Sequence, residues 1–128
     1  MNTKRILVID DDTGLTQMLK LNLEATGNYE VCIENDSTQA VATARRFRPD
    51  LILLDYVMPE MDGGDVTSSL HEDPFLRRVP IILVTALLAN KEMNRDGTSY
   101  RGGQIMLAKP VKMENLLKCI EKQLLAEA

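Results

Sequence analysis

The chain has 128 residues, about one domain's worth, and a compact globule of that length buries roughly two-thirds of its unfolded surface. Hydrophobic residues make up 45% and charged residues 27%, with 7 Gly and 5 Pro, which excludes a disordered or fibrous chain. Its 15 basic against 19 acidic side chains leave a net charge of -4, which argues against a nucleic-acid binder, because a phosphate backbone calls for a basic stripe.

The N-terminus Met1-Asn2-Thr3-Lys4-Arg5 carries two positive charges, but the apolar run Ile6–Ile9 behind it is far too short for a secretory signal or for the roughly 20 residues of a membrane span. No membrane segment is expected, and the chain reads as cytoplasmic. Ile6–Ile9 is the first strand and ends on Asp10-Asp11-Asp12. A helix should occupy Thr13–Thr26, where Leu15, Met18, Leu19 and Leu23 share one face, Asp12 or Thr13 caps the start and Gly27 stops the end. Val31–Ile33 is the second strand. The second helix should begin after Asp36, whose carboxylate caps it with Gln39 as a capping-box partner, and Pro49 should stop it. Leu51–Leu54 is the third strand, and a short helix near Gly64–Glu72 ends before Pro74.

Ile81–Val84 is the fourth strand. The segment Ala89–Gln104 is rich in turn formers, so a fourth helix is confined to Leu87–Asn94 at most and is short or irregular. Ile105–Ala108 is the fifth strand, and a last helix runs over Val111–Leu125 with Met113, Leu116, Leu117, Ile120 and Leu124 at helical spacing. Strands that are apolar at every position suit a parallel sheet covered on both faces, so the expected fold is α/β and doubly wound, one unit over 1–128. Cys32 and Cys119 each sit in an apolar pattern and are expected to be reduced thiols.

In such a sheet, ligands bind beyond the carboxyl ends of the strands. The residues delivered there are Asp10, Asp11 and Asp12, then Asp55, Thr85, and Lys109 before Pro110. Two carboxylates about 4 Å apart repel by roughly 4 kcal/mol at an effective dielectric near 20, so a cation is needed among them. Oxygen-only ligands suit Mg²⁺ or Mn²⁺; zinc is disfavoured because His71, the only histidine, falls in the third helix as a solvated residue. With a divalent ion present, one aspartate can act as nucleophile toward phosphorus, because a carboxylate needs no deprotonation at neutral pH. Lys109 would add positive charge and Thr85 a hydrogen bond.

The segments Ile6-Leu7-Val8-Ile9-Asp10-Asp11-Asp12, Asp55-Tyr56-Val57-Met58-Pro59-Glu60-Met61-Asp62-Gly63, Val84-Thr85-Ala86 and Lys109-Pro110 resemble the receiver domain of two-component response regulators, over essentially the whole chain. The resemblance implies a chemotaxis-regulator-like single domain with no output domain, built on a five-stranded parallel sheet in the flavodoxin-like order 2-1-3-4-5. It implies that Asp55 is the phosphoacceptor, that Asp10, Asp11, Asp55 and the backbone carbonyl of Val57 hold Mg²⁺, and that Thr85 and Lys109 bind the phosphoryl group. It further implies a cis Lys109–Pro110 peptide. The partners it implies are a sensor histidine kinase or histidine phosphotransfer protein as donor and a downstream protein target, with phosphoryl relay as a second output. The protein would be no enzyme beyond the self-catalysed phosphorylation and dephosphorylation of its own aspartate.

Three departures or options accompany the resemblance. Met106 stands three residues before Lys109, where the family usually has Tyr or Phe, so the aromatic movement coupled to Thr85 cannot operate in its usual form. The Thr85–Lys109 interval is long, and its polar part falls on the face where such domains dock partners or form homodimers. Val57 and Leu87 are both apolar and offer no side chain to place a hydrolytic water, from which a long-lived phosphoryl group is expected. Two other functions fit less of the chain. A haloacid-dehalogenase-type phosphatase would use Asp10-x-Asp12, but Gly14 stands where it needs Thr or Val. An interaction module independent of phosphorylation would have no need of Asp10, Asp11, Asp55, Thr85 and Lys109 together.

Overall fold

The structure, a computed structural model, describes residues 3–86, 98–101 and 104–126. The strands are β1 (Lys4–Ile9), β2 (Tyr29–Glu34), β3 (Leu51–Asp55), β4 (Ile81–Thr85), β5 (Thr98–Arg101) and β6 (Gln104–Ala108). The helices are α1 (Thr13–Ala25), α2 (Ala40–Phe47), α3 (Gly63–Glu72) and α4 (Met113–Ala126), with a short 3-10 turn over Ser37–Gln39 ahead of α2. The sheet order is β2-β1-β3-β4-β6-β5. The five expected strands are all present, parallel, and in the expected order.

The strand count is corrected. A sixth strand, β5, pairs antiparallel with β6 at the sheet edge, Arg101 opposite Gln104 and Thr98 opposite Leu107. It lies inside the segment expected to be turn-rich. Thr and Tyr at 98 and 100 favour extended backbone, and Gly102-Gly103 is a dipeptide suited to a two-residue hairpin connection. The expected helix Leu87–Asn94 lies outside the described residues, as does Leu87 itself.

Asp12 caps α1 by accepting the Leu15 N–H at 3.1 Å, and Gly27, at φ 81°, supplies the left-handed stop. Asp36 caps the 3-10 turn through the Thr38 N–H, but its own N–H is taken by the Glu34 carboxylate at 3.0 Å, so Gln39 completes no capping box. Glu34, two residues back at the end of β2, holds the donor that Gln39 would have taken. α2 ends on Arg48 at φ 54°, with Pro49 unable to continue it. Neither Cys32 nor Cys119 forms a disulfide. No helix among the described residues is long and apolar enough to cross a membrane.

Both faces of the sheet are covered, which is why its strands carry no polar alternation. Ile6, Val8, Leu51, Leu53, Ile82 and Leu107 pack under α1 and α4, while Leu7, Ile9, Ile52, Leu54 and Leu83 pack under α2 and α3. Leu53 is 1% exposed and Leu125 is 75% exposed. Leu53→Ala should therefore lower unfolding free energy by about 2–5 kcal/mol in a urea titration, against less than about 0.5 kcal/mol for Leu125→Ala. Equal losses would place the core elsewhere.

Candidate functional site

The acidic, hydroxyl and ammonium side chains singled out from the sequence lie at the carboxyl ends of the strands, and the register aligns them. Ile9 is opposite Leu54, so Asp10, one residue past β1, falls beside Asp55 at the end of β3. Thr85 is opposite Ala108, which delivers Lys109 one residue further on, and the Lys109 N–H donates to the Thr85 carbonyl at 2.9 Å. The Lys109–Pro110 peptide is cis.

Asp10 and Asp55 are buried and Asp11 is exposed, yet one carboxylate oxygen from each lies within 4.8 Å of the others. Asp10 Oδ1 accepts the Asp12 N–H at 2.9 Å. Its Oδ2 lies 3.0 Å from Lys109 Nζ, and the same ammonium is 3.2 Å from Asp55 Oδ1. Burial pushes the Asp55 carboxyl above its ordinary pKa, the Asp10 charge adds to this, and Lys109 together with the Val57 N–H offsets part of it. For Lys109, burial works against the charged form, but the hydrogen bond to Asp10 and the charges of Asp10 and Asp55 outweigh it and raise the pKa.

Three carboxylates thus face one ammonium, an excess of negative charge that a cation would neutralise. The donors are all oxygen and one side is open to water through Asp11, a set that fits a small hard divalent ion. Thr85 is fully buried at the end of β4. Val57, whose N–H holds the Asp55 pKa down, is itself 57% exposed. Met106 does not join this group. It is buried with Ile9, Leu54 and Leu83, opposite Leu83 on one side and Ser99 on the other. His71 is exposed on α3.

Sequence reasoning missed the residues that hold the loops. Asn35 Nδ2 donates to the Asp10 carbonyl at 2.7 Å and to Thr16 Oγ1 at 3.0 Å, tying the β1–α1 turn to β2. Ser37 Oγ donates to the Pro59 carbonyl at 3.1 Å. Gly63 donates its N–H to the Tyr56 carbonyl at 2.7 Å, and a Cβ there would stand 2.7 Å from Tyr56 Cα and 2.9 Å from the Asp55 carbonyl oxygen. Both obstacles are backbone. Gly63→Ala should thus displace the segment after Asp55 and cost about 1–3 kcal/mol in thermal or urea unfolding; Gly14→Ala, whose nearest atom is 3.5 Å away, is the control. An Asp-Gly-Gly sequence opening a helix was the available signal.

The sequence model of the response regulator receiver domain matches residues 6–121. Response regulator PleD of Caulobacter vibrioides is 46% identical over 83 residues, 65% of this chain and 18% of PleD. The chain spans less than half the length of the first curated relatives it matches, between 18% and 46%. Among solved structures, the signal receiver domain of a signal transduction histidine kinase from Syntrophus aciditrophicus is 31% identical, with a TM-score of 0.78 over 97% of this chain and 92% of that one. The receiver domain of sensor histidine kinase PA1611 from Pseudomonas aeruginosa, which has a magnesium ion coordinated in its active-site cleft, is 30% identical, with a TM-score of 0.77 over 96% and 98%. By the match over nearly its full length, and with an acidic cluster and a lysine at the carboxyl edge of a 2-1-3-4 parallel sheet, this chain belongs to the response regulator receiver domain family.

Proposed function

We propose that the chain is a single receiver domain whose Asp55 accepts a phosphoryl group from a phosphohistidine of a sensor histidine kinase or histidine phosphotransfer protein. The observation that carries this reading is the placement of the Asp55 carboxylate: buried at a strand end, within 4.8 Å of the Asp10 and Asp11 oxygens and 3.2 Å from the Lys109 ammonium. Asp55 forms the new O–P bond while the N–P bond to the donor imidazole breaks, and the electron pair stays on the imidazole nitrogen. Lys109 is already between Asp10 and Asp55, so its ammonium can move to a phosphoryl oxygen with little displacement. The Thr85 hydroxyl, on the adjacent strand end, is the hydrogen-bond donor to another. Asp10, Asp11, Asp55 and the Val57 carbonyl are the residues that would hold Mg²⁺ or Mn²⁺. When bound, that ion supplies the positive charge that lets an anionic phosphoryl group approach three carboxylates.

The added charge then favours one of two conformations and changes docking to a downstream protein, or the phosphoryl group passes onward to another histidine. With Met106 buried in the core, Thr85 acts in this reading without an aromatic partner at that position. The protein remains its own substrate. Incubation with acetyl phosphate should add the mass of one phosphoryl group in the presence of Mg²⁺ and none in a chelator, with peptide mapping placing it on Asp55. Uptake on Asp10 would instead indicate phosphatase-type chemistry, and no uptake together with an unchanged amide spectrum would indicate a module that works without phosphorylation.

A further inference from the structure

At the opposite end of the strands from Asp55, the C-terminus of α2 and the connection from α3 to β4 enclose a groove of about 600 Å³. Arg45, Arg48, Pro49, Phe75, Leu76 and Val79 line it. Phe75 is 86% exposed, the most exposed of the large hydrophobic side chains described. An aromatic ring left in water beside a partly apolar groove has burial energy still to gain, on the order of 2 kcal/mol if covered.

The charge around it departs from the rest of the molecule. Although the chain as a whole is acidic, Arg45, Arg46, Arg48, Arg77 and Arg78 all fall on these two adjoining segments, 5 of its 15 basic residues. Nearby acids are largely committed. The Asp73 carboxylate takes Arg45 Nε and the Phe75 N–H, and the Asp50 carboxylate accepts the Arg5 N–H at 2.8 Å. Glu72 is the exposed acid that remains on the α3 side. Arg48, Arg77 and Arg78 are exposed and have no ion pair among the described residues.

We propose that this groove docks an acidic peptide segment of a partner protein, with an apolar side chain of the segment seated against Phe75 on the Pro49–Leu76–Val79 floor and its carboxylates on Arg48 and the flanking arginines. Arginine presents a planar fork that matches a carboxylate, and aromatic residues with arginines are the side chains that dominate protein interfaces. A groove with an apolar floor suits this occupant better than a nucleic-acid backbone, which would take the charge and leave Phe75 uncovered. Because β3 lies between the two poles, roughly 13 Å of strand, a partner bound here leaves Asp55 accessible. The surface is therefore independent of the phosphoryl site.

Fluorescence anisotropy on the full 128-residue chain at physiological ionic strength tests it, using a labelled peptide Glu-Glu-Asp-Leu-Phe-Asp-Glu-Glu and a control in which Leu-Phe is replaced by Ser-Ser. Saturable binding of the first peptide is expected, weakened about tenfold or more by Phe75→Ser, by Arg48→Glu and in the control peptide. Unchanged circular dichroism and urea midpoints in both variants establish that they are folded. The proposal is overturned by an absence of saturation at millimolar chain, by binding that survives both substitutions, or by equal binding of the Ser-Ser peptide or of duplex DNA, which would mean charge attraction alone. It is also overturned if sedimentation shows a wild-type dimer that Phe75→Ser dissolves, because the occupant would then be a second copy.

Discussion

An Asp55→Asn chain is expected to take up no phosphoryl group and, in metal-free buffer, to unfold at a higher urea concentration than the parent. The two effects share one cause. A carboxylate that can attack phosphorus must be held beside other carboxylates, where its own charge is unfavourable. Burial and the neighbouring Asp10 raise the Asp55 pKa in the folded state despite the pull of Lys109, so ionising it costs folding free energy. The amide has nearly the same shape, carries no charge and leaves Lys109 to Asp10, which it already meets at 3.0 Å. The sign fixes the pH window. A raised folded pKa means that the penalty is absent below the unfolded value, near pH 4, grows as pH rises through the folded value and is complete above it. The stability difference between parent and variant, measured in chelator, should therefore be present at pH 7 and vanish in acid. A variant less stable than the parent at pH 7 would mean that the lysine contact outweighs burial and repulsion together. Bound Mg²⁺ should shrink the gap by stabilising the parent more.

Lys109→Ala is expected to act in the opposite direction. Its ammonium is the one cation, among the described residues, in ion-pair contact with either buried carboxylate, 3.0 Å from Asp10 and 3.2 Å from Asp55. Deleting it leaves two like charges without compensation in a poorly solvated place, a change that costs about 3–5 kcal/mol when one partner of a buried pair is removed. The lysine side chain is 23% exposed, so the lower end of that range applies. Urea unfolding in chelator measures the loss, and saturating Mg²⁺ should recover part of it by supplying positive charge to the same oxygens. Phosphorylation by acetyl phosphate should slow by about 100-fold to 1,000-fold, the effect of removing one preorganised stabiliser of developing charge. A stable, Mg²⁺-insensitive variant with normal uptake would remove Lys109 from the site. Lys109→Arg, which keeps the charge with a different reach, should regain more stability than rate.

Much of this could be seen before any coordinates. The runs Ile6–Ile9 and Leu51–Leu54 are apolar at every position because both of their faces are buried, and no half-exposed strand would tolerate that composition. Residues ending those runs must project from one edge, so Asp10, Asp55, Thr85 and Lys109 could be grouped from spacing alone. The β5 strand was obscured because its residues are polar and are followed in sequence by Gly-Gly, so the turn signal dominated the weak extended preference; pairing with β6 is what makes Thr98–Arg101 a strand. Asn35 and Ser37 were hidden, since their work is to bond backbone that is 22 to 25 residues away in sequence, whereas Gly63 left a signal in Asp62-Gly63-Gly64 but its close approach to the Tyr56 backbone did not.

Local pattern, then, was enough for the five parallel strands, their doubly covered sheet and the identity of the charged groups, because periodicity and chain punctuation are written residue by residue, while the strand order came from the family resemblance. The distances that make those groups one site, the upward pull on Asp55, the core position of Met106 and the juxtaposition of Phe75 with Arg45 and Arg48 all arise between strands and helices remote in the chain. Such quantities depend on how far burial strips water from a charge and on which surfaces the packing leaves uncovered, and neither exists until the chain has closed on itself.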